Sequence, residues 1–428
     1  MASPLPLRGI RVLELSVAWA APFCGKNMAY LGAEVIKIEA PTRPDGHRGS
    51  INPVAGGFTI YPDGKPGERP WNRTAAFHER YRSKLDISVD LSTPEGKKVF
   101  KGLAALSDVV LVNYRAGVMD NLGLGYSVLK EVNPNIIMVL LPGFGLTGPY
   151  RDYSSYGSNL EALTGAMFLT GYADRDPLNS NLTWPDPMVG VMALGMICAA
   201  IRNRSASGKG MLIEFSQMEA TVRTMAGYLM DYQMNGRVAE RMGNRDTIMA
   251  PHDCFRCKGE DQWLAIAVRS DEQWQALCQV MGKPGLAKDP RFADGLSRLR
   301  NQDELGPIIE AWTSAQDKVE AMHALQRAGV AAGPMLPHYE HYEDPQYLAR
   351  GFFQEITHPE AGTFPFQGIS GFRLSKTPGG NHRHAPLFGE HNRYLLSDVL
   401  GISDEEYSQL EDKQIISEVP LADGPRSL

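Results

Sequence analysis

A carboxylate lies between two prolines in the segment Trp184-Pro185-Asp186-Pro187, directly before a stretch of small and apolar residues. Aspartate is a common N-cap residue and proline is common at the first helical position, so the pattern by itself favours a helix start. The same position would hold an ionised Asp186 in a fixed direction near the positive end of the helix dipole. An ionised aspartate can attack a thioester carbonyl and form a covalent intermediate. The local pattern therefore allows two roles for Asp186, a helix cap or a nucleophile.

The stretch that follows, residues 188–204, is the clearest predicted helix of the chain. Small side chains along it allow the backbone of another element to approach closely. They are Gly190, Ala193, Gly195, Ala199 and Ala200. We therefore expect Asp186 at the entrance of a helix that packs closely against a neighbouring element.

The N-terminal half alternates short β-prone runs with helical stretches. The predicted strands lie at 11–15, 34–39, 85–91, 108–113, 136–141 and 211–216. Predicted helices at 22–31 and from Thr93 to about Leu106 separate some of them, and this β-α-β order predicts a parallel sheet in an α/β fold. No Gly-x-Gly-x-x-Gly motif follows the first strand, which argues against a standard dinucleotide site and so against a nicotinamide dehydrogenase.

The composition is that of an ordinary soluble globular protein, with 43% apolar and 21% charged residues in a chain of 428. The net charge of −6 gives no global basic field, so we expect no nucleic-acid partner. No apolar run reaches the roughly 20 residues that span a bilayer, and Met1–Pro6 lacks the features of a signal peptide, so we expect no membrane segment. Five scattered cysteines favour a reducing compartment, and we predict a cytoplasmic protein.

Cys254 and Cys257, with His252 just before them, form the one combination of residues that resembles part of a metal site. A zinc site typically needs four ligands, usually in two spaced pairs, and only one pair is present. We predict no metal, and a strand of a small domain at this place.

Changes of composition along the chain predict its domain boundaries. A Pro-, Gly- and Arg-rich stretch at 41–75 has little periodicity and is predicted to be a long loop. From about 225 to 335 the segments become shorter and more polar. We predict a large domain at 1–225, a small domain at 226–335 and a return to the large domain at 336–428.

Motifs along nearly the whole chain resemble the class III CoA-transferase family, which includes formyl-CoA and carnitine CoA-transferases and the α-methylacyl-CoA racemases. The motifs are LRGIRVLEL at 7–15, LGAEVIKIE at 31–39, DLSTPEG at 90–96, GFGLTGPY at 143–150, SGKG at 207–210 and APLFGEH at 385–391. Their order and spacing together make the resemblance specific. It implies an enzyme that moves CoA from an acyl-CoA donor to a carboxylate acceptor, with coenzyme A as co-substrate and no other cofactor.

The resemblance also implies a catalytic role for Asp186. In the family the nucleophile is an aspartate just before the small-residue helix, some 20 residues upstream of the turn that matches Ser207-Gly208-Lys209-Gly210. Asp186 holds that position, so the resemblance favours the nucleophile over the helix cap. The family mechanism then implies a mixed anhydride and an aspartyl-CoA thioester as successive intermediates.

Residues that contact CoA are implied by position in the same way. They are Trp19, Ala20, Lys84, Asn113, Tyr114, Arg115, Gly143 and Phe144. Arg115 suits a phosphate because its guanidinium is a forked cation. The order Tyr81-Arg82-Ser83-Lys84 departs from the family pattern, and Asn121 stands where a second basic residue is common.

Tyr156 and Glu161 are predicted to line the substrate pocket, although Glu161 also fits the exposed face of a helix. The racemases carry a histidine where this chain has Tyr156-Gly157-Ser158-Asn159, and proton shuttling at a carbon needs two suitable acid–base groups. Racemisation is therefore disfavoured. Two alternatives to intermolecular transfer remain. One is transfer of CoA between two carboxylates of one molecule, and the other is a non-catalytic role in a hetero-oligomer.

The resemblance implies a Rossmann-like large domain with a parallel sheet, a smaller α+β domain, and an interlocked-ring dimer. Family members fold as two rings, each threaded through its partner. We therefore expect a homodimer, with a heterodimer of two related chains as the alternative.

Overall fold

Short runs of branched apolar residues form a six-stranded parallel sheet at the centre of the larger part of the chain. The computed structural model describes residues 5–53, 59–368 and 371–422. The strands of this sheet are β1 (Arg11–Leu15), β2 (Glu34–Glu39), β3 (Leu85–Ser88), β4 (Val109–Val112), β5 (Ile137–Leu140) and β6 (Met211–Glu214). All six predicted strands are confirmed, the last four shorter than predicted.

The sheet has the strand order β3-β2-β1-β4-β5-β6, and every pairing is parallel. Leu13 of β1 lies opposite Ile36 of β2 and Val110 of β4. Successive side chains of a strand point to opposite faces, so the sheet has two apolar faces. The predicted α/β fold is confirmed.

Helices cover both faces of the sheet. In chain order the helices are α1 (Ala20–Tyr30), α2 (Ala75–Tyr81), α3 (Pro94–Ala105), α4 (Val118–Asn121), α5 (Tyr126–Val132), α6 (Gly157–Leu163), α7 (Ala166–Leu169), α8 (Pro185–Ser207), α9 (Gln217–Val222), α10 (Ala226–Asn235), α11 (Asp271–Val280), α12 (Gly295–Arg300), α13 (Gln302–Thr313), α14 (Lys318–Arg327), α15 (Pro345–Ala349) and α16 (Asp404–Asp412). One buried cluster joins Leu13 to α3, α5 and α16, and a second joins Val12 to α1 and α8.

Helices α1 and α8 pack backbone to backbone, as the small residues of α8 predict. A Cβ at Gly190 would lie 2.6 Å from the carbonyl oxygen of Ala20, so no larger residue fits there. Ala193 and Ala200 are buried in the same contact layer. This close approach brings the beginning of α8 next to the beginning of α1.

Among the described residues, α8 is the one helix whose length and apolar composition match those of a membrane span. Its buried side chains pack against α1 and the sheet, as those of a core helix do. These two observations describe a helix that is apolar on its buried side and on part of its exposed side.

The chain divides into two units. The first comprises Met1–Gly165, Ser180–Met230 and Ala349–Leu428, and the second Ala166–Asn179 and Asp231–Leu348. The predicted boundaries, 225 and 335, lie before the observed ones. One physical reason is that Lys318 donates to the carbonyl oxygen of Met335 and to Glu340, which ties the residues after 335 to the second unit.

The second unit has its own antiparallel sheet and core. Its strands are β7 (His252–Arg256), β8 (Trp263–Ala267) and β9 (Ala331–Pro334), in the order β7-β8-β9. Trp274, Leu277 and Phe292 are at its centre. A two-stranded hairpin of β10 (Phe353–His358) and β11 (Gly362–Gln367) belongs to the first unit.

Candidate active site

The candidate active site lies at the carboxyl end of β1, where the strand order changes direction. β1 pairs with β2 on one side and with β4 on the other. In open parallel sheets such a switch point leaves a crevice between the loops, and ligands bind there. The loop of residues 16–19 leaves β1 at this point, and Asn113 follows β4 beside it.

Asn113 holds the loop after β1 in place. Its Oδ1 accepts the N–H of Val17 at 2.9 Å, and its Nδ2 donates to the carbonyl oxygen of Val17 at 2.6 Å. The next residue, Ala18, has a φ of 59°, a left-handed conformation that costs roughly 1–2 kcal/mol for an L residue. The two bonds from Asn113 help to stabilise this turn. Asn113 was predicted to contact CoA, and its amide acts here on the protein backbone.

Asp186 lies in the first turn of α8, with Trp184 as the N-cap and Pro185 as the first helical residue. The predicted N-cap position for Asp186 is therefore wrong, because the helix begins two residues earlier. Its side chain is only 7% exposed. Burial raises the pKa of the carboxyl to about 6, against the opposing effects of a hydrogen bond from the N–H of Ala20 and the charge of Arg80.

The direction of this shift corrects the expectation that the helix terminus simply keeps Asp186 ionised. Loss of hydration outweighs the nearby N–H groups, so the carboxylate is ionised at pH 7 but less stable than in water. A poorly hydrated carboxylate is a better nucleophile than a hydrated one. The site is thus chemically suited to attack on an acyl group.

Gly157, the first residue of α6, leaves room for the carboxylate of Asp186. A Cβ at this position would lie 2.4 Å from Oδ2 of Asp186 and 2.5 Å from the Cβ of Thr183. Only glycine fits this place, and the sequence pattern did not single it out as a functional residue. Tyr156, the predicted pocket residue next to it, is 48% exposed, so its ring remains accessible for contact with a substrate.

Glu161 lies inside the protein, which contradicts the alternative of an exposed helix face. It is 2% exposed and accepts bonds from the N–H of Ser180 at 3.1 Å and from its hydroxyl at 2.8 Å. Its charge contributes a smaller rise to the pKa of Asp186, behind burial. Glu161 therefore acts on the site through its charge and by fixing the segment that leads to Asp186.

Arg80, at the end of α2, is a second residue that the sequence pattern did not single out. Its guanidinium carbon lies 4.9 Å from the centroid of the Trp19 ring, and its Nη1 donates to the carbonyl oxygen of Ala76 at 2.9 Å. Trp19 directly precedes Ala20, whose N–H reaches Asp186. Arg80 and Trp19 thus belong to the surroundings of the buried carboxylate.

Lys84 was predicted to contact CoA, and the structure contradicts a phosphate contact by its ammonium group. The side chain is fully buried, and Nζ donates to both oxygens of Glu14, at 2.8 and 2.7 Å, and to the carbonyl oxygen of Pro22 at 3.0 Å. Burial lowers the pKa of Lys84 to about 8 despite the charge of Glu14, so the group is still charged at neutral pH. An ammonium has three N–H donors, and all three are used.

Tyr114 and Arg115 follow Asn113 and differ in exposure. Burial raises the pKa of the Tyr114 hydroxyl, and its ring packs against the core cluster beside β4. Arg115 is exposed and uses one N–H to donate to the carbonyl oxygen of Asp152 at 3.0 Å. A phosphate contact by its other donors, at the carboxyl end of β4, stays a prediction.

Gly143 and Phe144 follow β5 at the same edge of the sheet. A Cβ on Gly143 would lie 1.9 Å from the hydroxyl of Ser155, so the chain passes very close there. Phe144 is nearly buried and makes edge contacts with Tyr150 and Tyr153, at centroid distances of 5.9 and 6.2 Å. These two residues shape the wall next to β5, and their contact with CoA stays a prediction.

The cysteine pair considered as a metal site lies in the second unit. His252–Arg256 forms β7, which confirms the predicted strand, and Cys257 follows it. Within residues 5–53, 59–368 and 371–422, no group of three or more His, Cys, Asp or Glu is placed to hold a metal ion.

The family model of CoA-transferase family III matches residues 7–392 of the chain. The chain belongs to this family. Succinyl-CoA–D-citramalate CoA-transferase of Chloroflexus aurantiacus is 35% identical over 413 residues, which cover 96% of this chain and 98% of that protein. The β subunit of succinyl-CoA–L-malate CoA-transferase of the same organism is 30% identical over 414 residues, covering 96% and 98%. A solved structure of a CaiB/BaiF family protein from Brucella suis matches with a TM-score of 0.81 and 31% identity, covering 93% of this chain and 100% of that one.

This member of CoA-transferase family III is an enzyme whose substrates are an acyl-CoA and a carboxylic acid, with coenzyme A as co-substrate. The family predicted from the motifs is confirmed. So is the fold, since the Brucella protein matches the same mixed α/β structure.

Proposed function

We propose that this CoA-transferase works through covalent intermediates on Asp186. The observation that carries the proposal is a buried carboxylate with a pKa raised by burial to about 6, next to a backbone N–H donor from Ala20. The carboxylate attacks the carbonyl carbon of the donor acyl-CoA, the C–S bond breaks, and a mixed anhydride and CoA thiolate result. The thiolate attacks the aspartyl carbonyl, which forms aspartyl-CoA and releases the donor acid.

The second half of the reaction reverses these steps with the acceptor. The acceptor carboxylate attacks aspartyl-CoA, forming a new anhydride and releasing the thiolate. The thiolate then attacks the acyl carbonyl, which forms the new acyl-CoA and regenerates Asp186. In each step one anion, a carboxylate or the CoA thiolate, attacks the carbonyl carbon and the other leaves. The reaction therefore needs no proton transfer and no ATP. The N–H of Ala20 is suited to stabilise the oxyanion that develops at Asp186.

Intermolecular transfer is favoured over the alternatives. Racemisation would need two acid–base groups on opposite faces of a carbon, and Tyr156-Gly157-Ser158-Asn159 stands where the racemases carry the histidine that is one of them. Intramolecular transfer would use the same chemistry of Asp186 on a substrate with two carboxylates. The names of the two relatives describe succinyl-CoA donors and acceptors that are dicarboxylic acids. We propose the same class of acids for this enzyme.

Trapping with hydroxylamine tests the covalent step directly. In the presence of acyl-CoA, hydroxylamine should attack the aspartyl carbonyl and convert Asp186 to a hydroxamate, which inactivates the enzyme. Peptide mass spectrometry measures the modified fraction, which should approach one per site. The buried carboxylates of Asp45 and Asp86 are internal controls and should stay unmodified. Equal labelling without acyl-CoA, or none at Asp186, would contradict the mechanism.

We also propose that the enzyme is a dimer, homodimeric or built from two related chains, in the cytoplasm. Its first unit exposes a set of large apolar side chains that are expected to be covered. They are Val191, Met196, Tyr228, Leu229 and Met230, each half exposed. Exposed apolar patches of this kind mark protein interfaces. The five cysteines are unpaired, which supports a reducing compartment.

Sedimentation equilibrium is expected to give a mass of twice the 47.1 kDa chain. Met196→Glu places a charge on the exposed apolar surface and should weaken dimerisation at least about tenfold, since burial of an unpaired charge is strongly unfavourable. Lys130→Glu, on the exposed face of α5, is the matched control and should leave the dimer intact. A monomeric wild-type protein would refute the dimer, and an unaffected Met196→Glu dimer would exclude this surface.

A further inference from the structure

The guanidinium of Arg80 has few hydrogen-bond partners within the described part of the protein. A guanidinium has five N–H donors. One, at Nη1, is used by the carbonyl oxygen of Ala76, whereas the Nε is buried and has no hydrogen-bond partner among the described residues. No carboxylate of the described residues lies within ion-pair distance of Arg80.

Two neighbouring buried arginines, Arg48 and Arg82, have partners for their donors, and Arg80 differs from them in this respect. Arg48 binds Glu39 at 2.8 Å and Asp86 at 3.2 Å. Arg82 donates to Asn381, to the carbonyl oxygen of His78 and to the hydroxyl of Tyr30. A half-buried cation without such partners is unfavourable unless something else supplies them.

The position of Arg80 indicates what that partner is. Its guanidinium lies against the face of Trp19, which fixes the plane of the group. Trp19 is followed by Ala20, whose N–H donates to Asp186, and the charge of Arg80 acts on Asp186, though less than burial does. An acyl group joined to Asp186 would therefore form beside this guanidinium.

We propose that Arg80 is a binding subsite for the second carboxylate of a dicarboxylic acyl group. This inference rests on the proposed function of Asp186 and names the feature that selects its substrates. A planar guanidinium forms two parallel hydrogen bonds with a carboxylate, and lysine cannot reproduce that geometry. One end of the substrate would react at Asp186 while the other end is held by Arg80.

A different role for Arg80, support of the ionised Asp186 alone, makes a different prediction. In that case loss of the positive charge would slow every acyl-CoA by the same factor and move the acid limb of the pH–rate profile to higher pH. A subsite for the second carboxylate affects only substrates that possess one. Comparing substrates therefore separates the two roles.

The experiment compares succinyl-CoA with butyryl-CoA, which has the same chain length and no second carboxylate. Each is assayed for single-turnover trapping of Asp186 by hydroxylamine. We expect Arg80→Gln to lower the rate with succinyl-CoA by roughly 100-fold and the rate with butyryl-CoA by less than about threefold. Arg80→Lys should fall between, with selectivity partly kept. Lys130→Gln, which removes an exposed cation on α5, should change neither rate.

Equal losses with both thioesters, or no loss with either, would overturn the role of Arg80. If Arg80→Gln does not fold, the same comparison in Arg80→Lys decides, because a selective loss with succinyl-CoA supports the subsite and an equal loss excludes it. Failure of the mechanism itself has another signature. The wild-type enzyme would then show no hydroxamate at Asp186 with either thioester, whereas an error about Arg80 alone would leave that trapping intact.

Discussion

Asp186→Asn is expected to lower the rate of CoA exchange by at least about a thousandfold while the fold is retained. Asparagine has nearly the same shape as aspartate, and its oxygen can still accept the N–H of Ala20. It lacks the ionised oxygen that attacks the thioester. The measurement is the transfer of isotopically labelled CoA between two acids. Undiminished exchange in this variant would refute the covalent mechanism.

The same substitution should make the protein more stable at neutral pH. The pKa of Asp186 is raised by burial from its ordinary value near 3.8 to about 6, so ionisation in the folded state is costly. That cost is absent below about pH 4, develops between pH 4 and 6, and above pH 6 reaches up to about 3 kcal/mol. The uncharged amide introduced by Asp186→Asn would avoid this cost. The gain in unfolding free energy should therefore shrink as the pH falls from 8 towards 4.

Asp45→Asn is the matched control, because the same chemical change has the opposite sign there. Asp45 is also buried, but Lys37 lies 2.9 Å from its Oδ2 and the Tyr81 hydroxyl donates to the same oxygen at 2.6 Å. Burial alone would raise the pKa of Asp45, yet Lys37 and these bonds hold it well below its ordinary value. Asp45→Asn should destabilise the protein above about pH 4. Equal effects of the two substitutions would contradict this account.

The sheet was predictable from sequence because each central strand is a short run of Val, Ile and Leu between polar segments. A strand buried on both faces has to be apolar along its length, and that pattern is local. The strand ends were less predictable, since the last pairing depends on the neighbouring strand. The predicted strand at 85–91 ends at Ser88 in the structure, where its parallel partner β2 also ends.

The role of Asp186 was suggested by the position of its motif, whereas its pKa was not readable from the sequence. The helix start was visible locally, but burial depends on α1 packing onto α8 through Gly190. Desolvation by distant segments outweighs the local helix terminus. A charge effect that depends on tertiary burial is out of reach of local patterns.

Arg80 and Lys84 show the same difference for cations. Arg80, Arg82 and Lys84 lie within five residues, and nothing in the sequence ranks them. In the structure Lys84 forms an ion pair with Glu14, which is 70 residues away in sequence. Arg80 has no carboxylate partner among the described residues. One signal was available: Glu14 and Lys37 are charged residues within buried strands, and such residues require charged partners. That signal predicts internal ion pairs in this region rather than free phosphate ligands.

Lys84→Met should be among the most destabilising single substitutions in the first unit. It would leave Glu14 fully buried, with both of its lysine hydrogen bonds lost and, among the residues that the structure describes, only the hydroxyl of Ser16 still donating to it. Removal of one partner from a buried ion pair costs about 3–5 kcal/mol. The measurement is the unfolding free energy by denaturant titration. Arg115→Gln, a cation exposed to solvent, should change that free energy by less than about 0.5 kcal/mol.

The double variant Glu14→Met/Lys84→Met separates a structural role from a binding role for Lys84. Two apolar side chains of similar volume can replace a buried ion pair at little cost, so most of the lost stability should return. If Lys84 serves only to neutralise Glu14, the KM for acyl-CoA in this variant should stay within about threefold of wild type. A KM raised tenfold or more in a stable double variant would restore Lys84 as a CoA ligand, because each tenfold step corresponds to about 1.4 kcal/mol of lost binding. We expect the Glu14–Lys84 pair to act on Asp186 indirectly. Lys84 precedes β3 and also donates to the carbonyl oxygen of Pro22, so the pair supports the backbone after β1 that carries the N–H of Ala20.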